Sequence, residues 1–462
     1  MNNRGKITVF LCLMVCAVLL LAMTGLRVIT FYGGQAKAAM CLKTATSHIK
    51  SNYNRYIFDH YHILLFDKAC GGKGEAGIEE ILFNNLQENL GTFASVQELS
   101  VNQYNMLTEN DCRALREQIA DYIKYAAIEY GTDQILEMTG GEDGALSEDL
   151  LTPSEEETET TAETGIDCED VEDPRGLTAY MEGDLLMAAI VPEELKISEY
   201  YMQDDEGWSV HQYGHMGDFF QINNRFNSLG VLSNDLVTYG GWSDQLLQAG
   251  TEIAYAADVF NCATEQTIND TSVLVCELEY LVSGLPCDAY NLESAIHRIL
   301  GIRLPVNYAF LMTDPEKKAV VMEVAAPLSA LTLVPLPIMK RLIAGCWAYV
   351  EAITEVRCLL NGKRMSFTKN SENWITDLHN LGEDMFCDGS SDDKGLSYKD
   401  YLLILLAIQP DTTVYRMVDI IQLNARQEND NFWMDNAAVG FSVDVKIQYD
   451  GREIWLREEA KY

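Results

Sequence analysis

The stretch ITVFLCLMVCAVLLLAMTGL, Ile7–Leu26, runs for 20 residues without a charge. An α-helix rises about 1.5 Å per residue, so this run spans about 30 Å, the hydrocarbon thickness of a bilayer. A cleaved secretory signal is the competing interpretation. The run is longer than the usual apolar segment of a signal, and the A-x-A pattern at Ala36–Ala38 lies well beyond its end. The sequence therefore predicts a retained transmembrane anchor whose ends are Ile7 and Leu26.

The charges on either side of the anchor predict its orientation. Arg4 and Lys6 form a very short basic head, and a short positive flank stays on the cytoplasmic side. Arg27 follows the apolar run, but its long side chain can extend its charge to the outer interface. We expect a single-pass protein of the cell membrane, with a cytoplasmic N-terminus and the bulk of the chain outside the cytoplasm.

Charge is distributed unevenly along the chain. It has 33 Lys and Arg against 70 Asp and Glu, a net charge of −37, yet residues 1–58 contain no acid. Nucleic acid is excluded as the main partner, because so acidic a chain would be repelled by phosphates. The bases that follow the anchor predict a basic juxtamembrane stripe able to pair with anionic lipid headgroups or with an acidic surface. They are Arg27, Lys37, Lys43, Lys50 and Arg55.

The helical pattern continues past the anchor. Apolar or small residues recur at spacings of three and four, at Ala38, Leu42, Ala45, Ile49 and Tyr53. This spacing predicts one continuous helix from about Ile7 to beyond Tyr53.

Composition divides the remaining chain into three segments. Residues 27–140 are predicted to form a helical extracytoplasmic region. Residues 141–174 are predicted to form a disordered linker, because 14 acids and no base lie between Glu142 and Pro174. Residues 175–462 are predicted to form a second, α+β extracytoplasmic domain. The sequence thus predicts a mainly α protein with some β structure.

Two stretches of the last segment have distinctive patterns. Val324–Met339 is uncharged, but it is 16 residues long and interrupted by prolines, which favours a buried helical hairpin over a second membrane span. Near the C-terminus, residues 439–449 alternate between apolar and small or polar side chains. Asp450-Gly451 follows, which predicts a β-hairpin with a type I′ turn.

Few patterns of the chain are associated with chemistry. Residues 72–77 spell G-x-G-x-x-G, but a helix is predicted before them where a dinucleotide loop requires a strand, so a plain turn is favoured. His211 and His215 are four residues apart, yet glycines nearby argue against a helix that would place both on one metal. Glu277 and Glu279 have no partner at a defined spacing, which favours surface or core-satisfying roles. We predict no catalytic, metal-binding or cofactor-binding residue, and no cofactor.

A resemblance to known membrane proteins rests on the opening RGKITVFLCLMVCAVLLLAMTGLRV and on six later segments. These are YNRYIFDHYHILLFD at 53–67, QIADYIKY at 118–125, CELEYLVSG at 276–284, NLESAIHRILGIRLPVNYAFLMTDPEKKA at 291–319, WAYVEAITEVRCLL at 347–360 and LSYKDYLL at 396–403. The opening is similar to the start of proteins related to the TadE/TadG pseudopilins of tight-adherence (Tad) pilus systems. In their order, the segments resemble an uncharacterised Firmicutes family of pilus-associated membrane proteins.

The resemblance implies a location and a set of partners, but no activity. It marks Gly5 as the candidate processing site of a leader, although Phe10 stands where pilin-type leaders usually carry Glu. This departure counts against cleavage and against polymerisation. We therefore expect a non-enzymatic, membrane-anchored component of a Tad-like pilus or secretion apparatus, with the lipid bilayer and other subunits as partners. A free-standing surface-exposed binding or sensing module is the alternative, and an extracellular hydrolase is a weaker one. The oligomeric state stays open.

Overall fold

The computed structural model describes residues 3–130, 187, 190–192, 194–200, 242–267, 272–384, 389–408 and 413–462. Across these residues the chain is mainly helical, with a four-stranded antiparallel sheet completed by the C-terminus. The predicted α+β class is therefore confirmed. The predicted linker 141–174 and the histidines at 211 and 215 lie outside the described residues.

The elements are numbered in chain order. The helices are α1 Asn3–Ser51, α2 Arg55–Tyr61, α3 Glu75–Leu90, α4 Glu109–Tyr130, α5 Trp242–Val259, α6 Glu277–Ser283, α7 Asp288–Thr313, α8 Pro315–Thr332, α9 Leu336–Leu360, α10 Leu381–Asp384, α11 Tyr398–Ile408 and α12 Thr413–Glu428. The strands are β1 Phe66–Asp67, β2 Ser95–Met106, β3 Ala437–Tyr449 and β4 Arg452–Lys461.

Two compact units make up the chain. The first contains the residues up to Gln118 together with Ala425–Tyr462, and the second contains Ile119–Asn424. These units are defined by the contacts within the structure. The segments predicted from composition, 1–26, 27–140, 141–174 and 175–462, are a different division, and their bounds stay a prediction.

Helix α1 ends earlier than the sequence predicts. It is continuous over 49 residues but stops at Ser51, two residues before Tyr53. The chain then turns into α2, whose first turn is capped by Asn54: its side-chain oxygen accepts a hydrogen bond from the Ile57 amide at 3.1 Å. Asparagine favours such caps over helix interiors, because its side chain competes for backbone amides. The expected continuation beyond Tyr53 is therefore wrong.

Strand β3 is the centre of the sheet. It pairs with β2 along one edge, and with β1 and β4 along the other. The predicted C-terminal hairpin is confirmed: β3 and β4 join through Asp450 and Gly451, whose φ angles of 46° and 70° fit a type I′ turn. Strand β2 lies inside the segment predicted to be helical. Three register shifts along β2 interrupt its alternation, so the period-two pattern is absent from its sequence.

The core of the first unit lies between two helices and this sheet. Helix α1 contributes Ala38, Leu42, Ala45 and Ile49, four of the five residues of the predicted helical pattern. Helix α3 contributes a second row at residues 78, 82, 86 and 90, and β3 contributes its alternating apolar residues. The periodicities of the sequence therefore identify this core.

In the second unit, α9 packs against both α7 and α8. The buried α6 lies against α7. Helices α8 and α9 form the hairpin predicted over Val324–Met339. The hairpin is buried only in part: Leu331 and Leu333, at the turn, are 81% and 88% exposed.

Candidate functional site

The N-terminal part of α1 is an apolar rod without packing partners. Every side chain described from Phe10 to Thr30 is exposed, and the exposed residues include Leu20 at 65% and Ile29 at 69%. Among the described residues, α1 provides the one helix long and apolar enough to cross a membrane. A core helix of a soluble protein would bury such a face, whereas a bilayer would cover it on all sides.

The first buried residue in the described part of α1 is Gly34, near the point where the turn of the β3–β4 hairpin meets the helix. The Tyr449 hydroxyl donates a hydrogen bond to the Thr30 carbonyl at 3.3 Å. The guanidinium of Arg452 lies over the Phe31 ring, 5.1 Å from its centroid. We call this contact the collar and define it by Thr30, Phe31, Gly34, Tyr449 and Arg452. It joins the exposed part of α1 to the folded unit.

Gly34 allows the collar to close. A Cβ atom at this position would lie 2.3 Å from Cε1 of Tyr449, closer than real Cβ contacts come. The neighbouring Gly33 has nothing within 4 Å of a Cβ atom. The Tyr449 ring also stacks on Phe93, at 4.5 Å between centroids, so a shift of the ring away from position 34 disturbs this contact. The tyrosine therefore requires glycine at 34 but not at 33.

The bases of the predicted stripe do not share one face. Lys37 and Lys43 are six residues apart on α1, so about 120° separates their directions. The Lys37 ammonium lies 4.3 Å from the Phe93 ring centroid, and Lys50 donates to the Lys461 carbonyl at 3.0 Å. Arg55 lies in α2 and pairs with Asp59, while Arg27 and Lys43 are exposed. With 3.6 residues per turn these positions are distributed around α1, and the pairing of these bases with lipid headgroups or an acidic surface stays a prediction.

The other predicted positions lie on the same helix. Gly5 is near the start of α1, and the anchor ends Ile7 and Leu26 both lie within it. Cleavage after Gly5 stays a prediction. The G-x-G-x-x-G stretch at 72–77 leads into α3, and β1, just before it, pairs antiparallel with β3. A dinucleotide loop requires a parallel βαβ unit, and here Gly72 ends a short 3-10 helix, Gly74 caps α3 and Gly77 lies within it.

Glu277 and Glu279 are buried in the second unit, where they accept hydrogen bonds from the backbone. Glu277 accepts from the Asn261 amide at 2.8 Å, and Glu279 accepts from the Ala263 amide at 2.9 Å. Burial raises the pKa of each carboxyl group from 4.5 to about 7. Between these pH values the folded protein holds protons that the unfolded chain has released. The free energy of unfolding therefore falls as the pH rises through this window.

A second buried polar cluster joins α7 to α9. Arg303 binds Glu355 through two hydrogen bonds, of 2.9 and 2.6 Å. Lys369 contacts Glu355 at 2.7 Å and Glu351 at 2.6 Å. The two acids balance the two bases, and Thr376 also donates to Glu351 through its backbone and its hydroxyl. The sequence gives no signal for this cluster, because Arg303 and Glu355 are 52 positions apart. Its pairing is internal, which is the arrangement of a structural network.

Among the described residues, no group of three or more His, Cys, Asp or Glu side chains is placed to hold a metal ion. A shallow pocket on α7 is lined by Glu293, Ser294, His297 and Arg298 among others, and in the described structure Ser294 and His297 form no hydrogen bond with each other. The exposed apolar part of α1 and its collar are therefore the best-developed candidate site of the described structure.

Residues 167–449 match DUF5702, a family of unknown function. The match covers more than half of the chain, so this protein belongs to that family. No curated protein and no solved structure matches the chain.

Proposed function

We propose that this member of DUF5702 is a membrane-anchored, extracytoplasmic, non-enzymatic component of a Tad-like pilus or secretion apparatus. The observation that carries the anchoring role is the course of α1. One unbroken helix passes from a stretch exposed on every side, Phe10–Thr30, into a stretch packed against α3 and the sheet. Such a helix connects a bilayer to a folded unit without a flexible joint.

The collar supports this role through its depth. Leu26 ends the apolar run, and Thr30 lies four residues later, about 6 Å along the helix. The headgroup layer on each side of the hydrocarbon is about 5–7 Å thick. Tyr449 and Arg452 would therefore lie at headgroup level, where amphipathic aromatic and basic side chains are favoured.

The buried polar side chains support a non-enzymatic role. In the interior, Glu277 and Glu279 accept hydrogen bonds from backbone amides, and Arg303 binds Glu355, which leaves these side chains little freedom for a substrate. An assembly component requires packed helices and complementary surfaces instead. The Tad-like assignment rests on the resemblance of the opening sequence and on the order of the later segments.

Protease treatment of intact cells that carry an epitope tag after Tyr462 tests the topology. We expect the tag to be cleaved with a known surface protein, while a cytoplasmic marker stays intact. A matched variant, Arg4→Glu with Lys6→Glu, removes the positive head and should increase the protected fraction of the tag. A protected tag on the unmodified protein would refute the extracytoplasmic location.

Deletion of the gene tests the apparatus role separately. We expect loss of surface pili or of secretion, and restoration by the full chain. Restoration should fail when residues 7–26 are removed, because the unit would no longer be held at the membrane. A deletion strain with normal pili and normal secretion would contradict this role and favour the free-standing binding module.

A further inference from the structure

The turn between α8 and α9 presents a cluster of large apolar side chains to the solvent. Leu331 and Leu333 are 81% and 88% exposed, and Ile338 and Leu342, on the first turns of α9, are 57% and 59% exposed. These residues lie within 12 positions of one another on the two arms of one hairpin. A contiguous apolar patch of this kind marks an interaction surface on a soluble unit. We call residues 328–342 the α8–α9 tip.

Two carbonyl groups of the tip accept hydrogen bonds from hydroxyl groups of the same segment. The Ser329 hydroxyl donates to the Val334 carbonyl at 2.6 Å, and the Thr332 hydroxyl donates to the Leu328 carbonyl at 2.7 Å. The turn also contains two prolines, which have no N–H group to satisfy. A loop in water can leave such groups to the solvent. In a lipid environment they need internal partners, because water is absent there.

The most exposed residue of the tip also has an uncommon backbone conformation. Leu333 has a φ angle of +61°, in the left-handed region, at the position that ends α8. Glycine or asparagine usually occupies such a position, because a larger side chain is strained there. A polar turn residue would suit a water-facing turn better. The strained leucine therefore points to an apolar environment.

The charge around the tip favours a bilayer over an arbitrary apolar partner. The segment from Val324 to Val350 contains no acid, although the chain as a whole has a net charge of −37. Its only charged residues are Lys340 and Arg341, directly beside the apolar cluster. Apolar side chains next to basic ones form the pattern that inserts into an interface and pairs with anionic headgroups.

We infer that the α8–α9 tip inserts shallowly into a lipid bilayer that contains anionic lipid, as a second membrane contact of the chain besides α1. Lys340 and Arg341 would pair with headgroup phosphates while Leu331 and Leu333 enter the acyl boundary. An anchor in the same chain keeps the bilayer at high effective concentration, so even a weak contact would be occupied. The inference goes beyond the proposed function, since it needs neither the pilus role nor a particular orientation.

Photo-cross-linking of the full chain tests the inference. Benzoylphenylalanine replaces Leu333, in protein reconstituted into vesicles of phosphatidylcholine with about one quarter phosphatidylglycerol, an anionic lipid. Two matched positions serve as controls: Leu20 of the anchor, 65% exposed, and Ile408 of α11, 71% exposed. We expect lipid adducts from positions 333 and 20 and at least about tenfold fewer from 408. Leu331→Asp should lower the adduct yield at 333 by a similar factor, because it places a charge in the acyl boundary.

Each outcome decides the inference. A lipid adduct at 20 without one at 333 overturns the tip contact and leaves the anchor intact, whereas an adduct at 333 without one at 20 supports the tip and refutes the anchor. A protein adduct at 333 would assign the tip to a second copy or another subunit and would also overturn the inference. Lys340→Gln with Arg341→Gln should reduce the yield at 333 in the mixed vesicles but not in pure phosphatidylcholine. Equal yields would refute the headgroup pairing.

Discussion

The collar predicts that one of two adjacent glycines is required and the other is not. Gly34→Ala places a methyl group 2.3 Å from Cε1 of Tyr449. Overpacking of this kind costs about 1–3 kcal/mol, because the ring must shift and disturb its stacking on Phe93. In an α-helix alanine is favoured over glycine by about 0.8–1.0 kcal/mol, and this gain partly hides the cost. Gly33→Ala has the same gain without the collision, so the difference between the two variants isolates the packing term.

Hydrogen exchange of the β3 amides measures this difference in the reconstituted full chain. The amides from Val443 to Ile447 pair with both neighbouring strands, so their exchange requires opening of the first unit. A destabilisation of about 1–3 kcal/mol accelerates exchange by about 5- to 140-fold in Gly34→Ala relative to Gly33→Ala. We expect Gly33→Ala itself to exchange as slowly as the unmodified protein or more slowly.

A double-mutant cycle identifies the cause. Tyr449→Ala removes the ring, so Gly34→Ala should cost nothing further in that background. Equal exchange in the two glycine variants would refute the collar as a stabilising contact. A cost at Gly34 that persists without the tyrosine ring would show that the helix, and not the collar, requires the glycine.

Two predictions concern the second unit, and urea unfolding followed by tryptophan fluorescence measures both, in variants where Trp433 and Trp455 of the first unit are replaced by Phe. Glu279→Gln should raise the free energy of unfolding by about 1–3 kcal/mol above pH 7 and leave it unchanged below pH 4.5. The reason is that the neutral side chain removes the penalty of a buried carboxylate. The same gain at both pH values would contradict this reasoning. Arg303→Met should lower the free energy of unfolding by about 3–5 kcal/mol, because the buried Glu355 carboxylate loses one of its two cationic partners. Adding Glu355→Leu should restore part of this free energy. A double variant less stable than Arg303→Met alone would show that the ion pair contributes more than its desolvation costs.

Sequence periodicity predicts the helices and strands whose apolar spacing is regular within the element itself. The three-and-four spacing from Ala38 to Ile49 identifies the buried face of α1, and the alternation in β3 identifies the hairpin. The sequence does not reveal β2, because three register shifts break its alternation. It also places the end of α1 too late, since the pattern reaches Tyr53 while Asn54 begins the next helix. Local turn chemistry overrides periodicity at that point.

Contacts between distant positions could not be predicted in the same way. The pairing of Arg303 with Glu355 depends on how α7 lies against α9, and neither segment alone indicates it. Exposure has the same limitation: the composition of Val324–Met339 suggests burial, yet the turn of the hairpin is open. Composition indicates that the apolar side chains of a segment should be covered, whereas only the fold shows whether the protein itself covers them.

The collar explains why glycine stands at position 34, just after α1 leaves the apolar run. A transmembrane helix fixes only the depth of its own axis, and a flexible link would let the folded unit tilt freely. The hairpin turn contacts α1 within one turn of Thr30, through a hydrogen bond to the Thr30 carbonyl and a cation–π contact with Phe31. Because the helix is continuous through this contact, a rotation of the anchor would carry the sheet with it. The proposed component would thereby hold its first unit at a fixed height and angle above the bilayer, which favours assembly of that unit into a larger apparatus.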